Sequence, residues 1–312
     1  NIVGYLPLGF MLALALMRSG WRRSAVPLAL LAGAALSLLM EFLQIYLPKR
    51  VPSNLDWLLN SAGALLGALS AALLEHRGTL ERWSRFRMRW FARDARGALV
   101  LLALWPWALL FPAAEPFGLG QVLERLEAML AELFDGTPFF EWLPVRVAPL
   151  EALSPAAEMV CVGLGLLVPC LLAFSITREP WRRGVLLLSA AAIGVGATAL
   201  SAALSWGPSH AWAWLGRPAQ AGLVLGLLLG SMVIGLRQRA CAVLLLVVQS
   251  LHLALLNDAP TSAYFAQTLI DWEQGRFIRF YGLGQWLGWL WPYVTLLYVL
   301  QRASRRALPQ RV

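Results

Sequence analysis

Nine stretches of the chain are apolar nearly all round, and polar residues are confined mostly to the segments between them. They run over 2–17, 25–47, 55–75, 97–113, 157–177, 184–205, 219–236, 240–256 and 285–301. A helix needs roughly 20 such residues to cross the hydrocarbon of a bilayer. Helices that must bury only one face in a soluble core show a polar stripe instead. The pattern predicts an all-α fold, a polytopic transmembrane helical bundle with about nine visible spans. The first stretch begins abruptly at Asn1, with no initiator Met and no secretory leader pattern. It reads as a chain missing its beginning, and ten spans are expected in the intact protein.

Two connecting segments break the apolar pattern with a different period. "HRGTLERWSRFRMRWFARDAR", 76–96, interleaves Arg with Trp83, Phe86 and Trp90 at i, i+3, i+7. Such a basic helix with an aromatic stripe reads as lying on an anionic leaflet, each Arg contributing about 1 kcal/mol. It also marks the boundary between an N-terminal part, 1–75, and a second membrane module of about six helices, 97–312. Within the loop 114–156, "GQVLERLEAMLAELF" sets Leu123, Leu126, Leu130, Leu133 and Phe134 on one face, with Glu124, Glu127 and Glu132 away from it. This predicts an amphipathic helix that lies on the outer surface or covers a cavity.

The distribution of bases gives an orientation. Alternate loops and the C-terminal tail hold 19 of the 26 Lys and Arg but four acids, Glu75, Glu81, Asp94 and Glu179. The opposite side, with charges inside the helices counted in, holds seven bases and 13 acids. By the positive-inside rule the Arg loops and the C-terminus are cytoplasmic. The loops 114–156 and 257–284 then face outward.

Composition narrows the class further. With 59% apolar residues, 14% charged residues and mean hydropathy +0.64, the chain is too apolar for a soluble domain. The net charge of +9 is confined to alternate loops, which argues against nucleic acid as a partner and for membrane lipids. Cys161, Cys170 and Cys241 fall within apolar runs without metal-ligand spacing and read as small buried hydrophobes. No metal and no cofactor is expected.

Against this background the stretch "MEFLQIYLPKRVPSNLDWLLNSAGALLGA", 40–68, is costly. Ser37, Glu41, Gln44 and Pro48 share one stripe of the second helix, and Glu41 lies about 10 Å short of Pro48 at 1.5 Å per residue. Asp56, Asn60, Gly63 and Gly67 share a face of the third, where Gly63 and Gly67 permit close helix contact. Ser53 and Asp56 resemble a capping box, and Arg50 can reach both Glu41 and Asp56. Capping and neutralisation account for Ser53 and Arg50. They do not account for Glu41, because a carboxylate at a helix centre costs roughly 2.5–3.5 kcal/mol in a bilayer, less near the interface.

"NIVGYLPLGFMLALAL" followed by "SLLMEFLQIYLPKRVPSNLDWLLNSAGALLGA" resembles the VanZ-like family of membrane proteins. The resemblance rests on Asn1, Tyr5, Pro7, Leu8, Gly9 and Phe10, then Glu41, Gln44, Arg50, Asp56, Asn60, Gly63 and Gly67, and covers 1–75. It implies a four-helix domain whose first helix is absent here. It also implies a role in the bacterial cell envelope, at the inner membrane, with teicoplanin resistance as the associated phenotype and no settled reaction. On this reading Glu41, Gln44, Arg50, Ser53, Asp56, Asn60, Asn1 and Tyr5 are the candidate binding residues.

The second module carries fewer signals. Gly222, Gly226 and Gly230 repeat every four residues, a packing stripe. Acids, Arg276, Arg279 and many aromatics mix in the loop 257–284, which suits headgroup or sugar contact and interfacial anchoring alike. His252, three residues after Gln249, reads as a packing residue or as an acid/base partner for Glu41 and Asp56. Those three are the candidate catalytic groups, although no complete catalytic set is visible. Three functions stay open. The favoured one is binding of a lipid, a lipid-linked glycan intermediate or a glycopeptide at an outward-facing polar pocket. The others are a membrane hydrolase or transferase on lipid-linked envelope substrates, and a transporter or flippase.

Overall fold

The computed structural model describes residues 2–44, 54–111, 113–142, 150–260 and 283–305. Each of the nine apolar stretches contains a helix, and the described residues contain no strand beyond one isolated bridge between Phe91 and Thr177. Five helices are long and apolar enough to cross a membrane: 25–43, 54–76, 155–176, 180–206 and 238–257. The chain forms two compact units, divided between Arg89 and Trp90.

The first unit comprises α1 (Ile2–Arg18), α2 (Ala25–Gln44), α3 (Asn54–His76) and most of α4 (Thr79–Trp90). A Schellman turn ends α1: Trp21 N–H donates to Leu16 O and Gly20 N–H to Met17 O. Gly20 adopts φ +93°, which a Cβ would penalise. α3 buries a face of small residues, Gly63, Ala64, Gly67, Ala68 and Ala71, and α1 packs along it. The large side chains of α2, among them Leu31, Leu38, Leu39 and Phe42, are exposed, as lipid-facing residues must be. On α4, Trp83 and Phe86 stack at 5.6 Å and both are exposed.

The second unit is built around α7 (Pro155–Ile176), whose residues Cys161 to Ile176 are all buried. Around it stand α5 (Arg96–Leu109), α8 (Pro180–Trp206), α9 (Arg217–Met232) and α10 (Gln238–Asn257). α11 (Leu283–Arg305) packs on α5 and α10. The glycine repeat of α9 lies on α7, where an added Cβ at Gly222 would meet Met159 O at 2.6 Å and one at Gly226 Gly163 O at 2.9 Å. Ser154 caps the start of α7 by accepting from Ala157 N–H, with Pro155 at the first helical position. Its other end is closed from a distance. Arg183, 3% exposed, donates to the carbonyls of Phe174 in the last turn of α7 and Thr177 just after it, and to those of Ile234 and Leu236 after α9. A cation among helix-end carbonyls meets both their missing donors and the negative end of the dipole.

The structure alters one expectation about this unit and adds detail to another. The apolar stretch 97–113 is helical over 14 residues, α5, about 21 Å and too short to span a bilayer alone. The chain then leaves the helix, and the Ser201 hydroxyl donates to Leu110 O at 2.8 Å, so the helix need not continue to satisfy that carbonyl. The amphipathic helix forms as α6 (Leu123–Phe134), but Leu123, Leu126, Met129 and Leu133 are exposed whereas Glu124, Arg125 and Glu127 are half-buried. Leu130 and Phe134 are half-buried and Glu132 is exposed, so the helix leaves much, not all, of its apolar side open. The side chain of Asn257, from α10, accepts from the N–H groups of Val122 and Leu123 and holds the start of α6 in place.

Candidate functional site

In the first unit the polar positions of α2 and α3 meet. Asn60 donates through Nδ2 to the Ser37 hydroxyl at 2.9 Å, and the Trp57 indole N–H donates to Ala34 O at 3.1 Å. Ser37 is fully buried, and Glu41, one turn further along α2, is 9% exposed. Asp56, in the first turn of α3, and Tyr5, on α1, are half-buried. The two stripes expected from the spacing therefore face each other at Ser37 and Asn60. Asn1, Arg50, Ser53 and the side chain of Gln44 lie outside the described residues.

The glycines expected on the same stripe as Asn60 meet α1 rather than α2. An added Cβ at Gly63 would stand 2.3 Å from Ile2 O, one at Gly67 2.0 Å from Leu6 O, and one at Gly9 2.0 Å from Ala64 O. Backbone thus meets backbone between α1 and α3, through the Pro-Leu-Gly-Phe segment of one and the Gly-x-x-x-Gly segment of the other.

Residues 1–75 match the model of the VanZ/LLP1 family. The N-terminal part is VanZ-like. The match ends at Glu75, in the last turn of α3, and leaves α4 and the whole second unit outside it. No curated protein and no solved structure matches the chain. Within the VanZ-like part, Glu75 also pairs with Arg22 from the turn before α2. This ion pair closes α2 and α3 at the end away from Glu41.

His252 belongs to the second unit, on α10, 2% exposed. Its Nε2 is buried without a hydrogen-bond partner and faces Gly165 of α7, where an added Cβ would stand 3.4 Å away. Gln249, one turn earlier, is likewise buried with both amide atoms unpartnered. Among the described residues no group of three His, Cys, Asp or Glu is placed to hold a metal. Cys161, Cys170 and Cys241 are free and buried, as their apolar surroundings predict.

The second unit also holds a cavity of about 340 Å³ that motif reading does not reach. It opens where the end of α5 and the segment after it, the start of α7, the end of α8 and the 207–216 turn converge, opposite the helix ends that carry Arg183 and Arg237. Glu115 from the irregular segment after α5 and Glu158 from the first turn of α7 both line it. Burial, reinforced by the charge of Glu158, raises the Glu115 pKa to about 7. In sequence, Glu158 reads as an ordinary acid at a helix N-terminus, and Glu115 as one of many loop acids. Only the fold brings them to one wall.

Proposed function

We propose that the protein is an integral protein of the bacterial inner membrane that binds a polar envelope component at the α2–α3 seam of its VanZ-like part. The components in view are a lipid headgroup, a lipid-linked glycan or a glycopeptide such as teicoplanin, and the physiological consequence is antibiotic resistance. The observation that carries the reading is Glu41: a buried carboxylate on the stripe that continues from the Ser37–Asn60 hydrogen bond, in a helix otherwise apolar. An ionisable group in such a helix costs several kcal/mol unless it has a partner or a task.

The test uses a deletion strain complemented with Glu41→Gln or Asp56→Asn at matched abundance. Glu41→Gln keeps shape and most hydrogen bonds while removing the charge, and Asp56→Asn does the same in the first turn of α3. Loss of glycopeptide or detergent tolerance in both variants, with unchanged melting, is the expected result. Full complementation by both makes the seam scaffolding and refutes the proposal.

A further inference from the structure

The cavity of the second unit combines features that select a ligand. Two carboxylates, Glu115 and Glu158, line it, and among the described lining residues there is no basic side chain. Phe111, Phe117, Trp206 and Trp214 supply aromatic surface. Thr198, also in the wall, has its hydroxyl oxygen buried without a partner. Ser205 on the next turns of α8, 1% exposed, has an unpartnered hydroxyl too. Buried polar groups are normally satisfied, and those that are not call for a missing partner. At about 340 Å³ the space sits at the small end of ligand pockets, which run to about 1,000 Å³.

The aromatic wall is held under strain. Phe117 is the one non-glycine residue with positive φ among the described residues, at +62°, and it is 2% exposed. Its ring packs against Trp105 at 6.1 Å and Trp214 at 6.2 Å and fills the space beside Gly194, where a Cβ would stand 2.5 Å from the ring. A Cβ added at Gly165 would stand 2.8 Å from the Phe117 Cβ, 2.9 Å from its carbonyl oxygen and 3.4 Å from His252 Nε2. Gly194 therefore leaves room for the ring and Gly165 for the backbone that carries it, and a strained backbone at Phe117 keeps the ring in the wall.

We propose that this cavity binds an organic ammonium group, carried by a free amine or by an aminated lipid headgroup. Carboxylates supply the countercharge, aromatic faces attract a cation through their quadrupoles, and unpartnered hydroxyls accept ammonium N–H donors or solvate the adjacent polar atoms. The two acids repel a phosphate or sulfate, which would have to be desolvated beside like charge. A neutral sugar could bond to the carboxylates but would leave their charge uncompensated, which an ammonium does not. The elements facing Glu115 contribute Glu158 and the Cys161 thiol of α7 as titratable groups, and the lining residues of α5, α8 and the 207–216 turn contribute none. Because Glu115 ionises near pH 7, a cation entering the cavity displaces its proton, and binding tightens as pH rises. The inference is independent of the role of Glu41.

The experiment titrates the purified full chain in detergent with choline, and with 3,3-dimethylbutan-1-ol as its uncharged isostere, read by thermal melting. Choline is expected to raise the melting temperature saturably, and the isostere to bind at least tenfold more weakly. Affinity is expected to be about tenfold higher at pH 8 than at pH 6, following the ionised fraction of a group with pKa near 7. The double variant Glu115→Gln, Glu158→Gln should melt at or above the parent and lose the choline response, whereas Glu41→Gln should retain it. Should the double variant fail to fold, Trp214→Leu, which keeps both acids, is expected to weaken choline several-fold. A second arm reconstitutes the protein with phosphatidylethanolamine or phosphatidylglycerol and weighs retained lipid by native mass spectrometry. Retention of the amine lipid, lost in the Gln variants, identifies the headgroup as source, and choline binding without it identifies a free amine. Equal binding of the isostere, a response that survives removal of both carboxylates, or no binding in either arm overturns the proposal.

Discussion

Gly67 offers the sharpest test of how the VanZ-like part is assembled. Its hypothetical Cβ lies 2.0 Å from Leu6 O and 2.8 Å from Phe10 N, both backbone atoms of a neighbouring helix that cannot rotate aside. An ordinary contact requires about 3.4 Å, so Gly67→Ala forces α1 and α3 apart by more than 1 Å. Separation on that scale forfeits a large part of the dispersion energy along the contact. With no hydrophobic drive between helices in lipid, close packing is the main attraction. Overpacking of this kind costs about 1–3 kcal/mol. The helix-propensity gain of about 1 kcal/mol from Gly to Ala acts in the opposite direction. Gly4, on α1, separates the two effects, since an added Cβ there meets nothing within 4 Å. Thermal melting in detergent, at one scan rate, should therefore show Gly67→Ala below the parent and Gly4→Ala at or above it. Gly67→Leu should fall further or fail to accumulate. A Gly67→Ala protein that melts with Gly4→Ala would refute backbone contact between α1 and α3.

Four further outcomes are expected. Arg183→Met leaves the carbonyls of Thr177 and Ile234 without the donor that Arg183 gives them, at about 1–3 kcal/mol each, and should lower the melting temperature by at least 5 °C, with Arg183→Lys intermediate. Asn257→Leu removes the two bonds that start α6, and hydrogen exchange at Val122 and Leu123 should rise at least tenfold while α7 keeps its protection. Glu115 ionises near 4.5 unfolded and near 7 folded, so its contribution to stability is fully present below pH 4.5 and is lost as pH rises to 7; the melting temperature of the parent relative to Glu115→Gln should fall between pH 5 and pH 8. Cysteine at Ser209 should react with an impermeant thiol reagent in intact cells and cysteine at Ser84 should not, and the reverse pattern would overturn the orientation drawn from the Arg loops.

The sequence alone determined where the helices lie, because the signals are local. An apolar run of bilayer length has few alternatives to a helix, since every backbone N–H and C=O must be satisfied within the segment. Small residues at four-residue spacing mark a contact face without reference to the partner, which is why Gly63 and Gly67, and Gly222 and Gly226, were legible before the fold was known. The facing of Ser37 and Asn60 followed from two stripes on consecutive antiparallel helices. The tertiary structure decided what depends on groups remote in sequence. That α1, rather than another helix, lies on the glycine face of α3 required the packing, as did the early end of α5 and the partly exposed apolar side of α6. Arg183 reads in sequence as one more base in a positive loop, and only the convergence of α7 and α9 turns it into a cap for two helix ends. Glu115 and Glu158 are unremarkable alone. Their shared wall, its aromatic lining and the raised pKa of Glu115 arise from desolvation and charge proximity, which exist only once the helices around α7 have assembled.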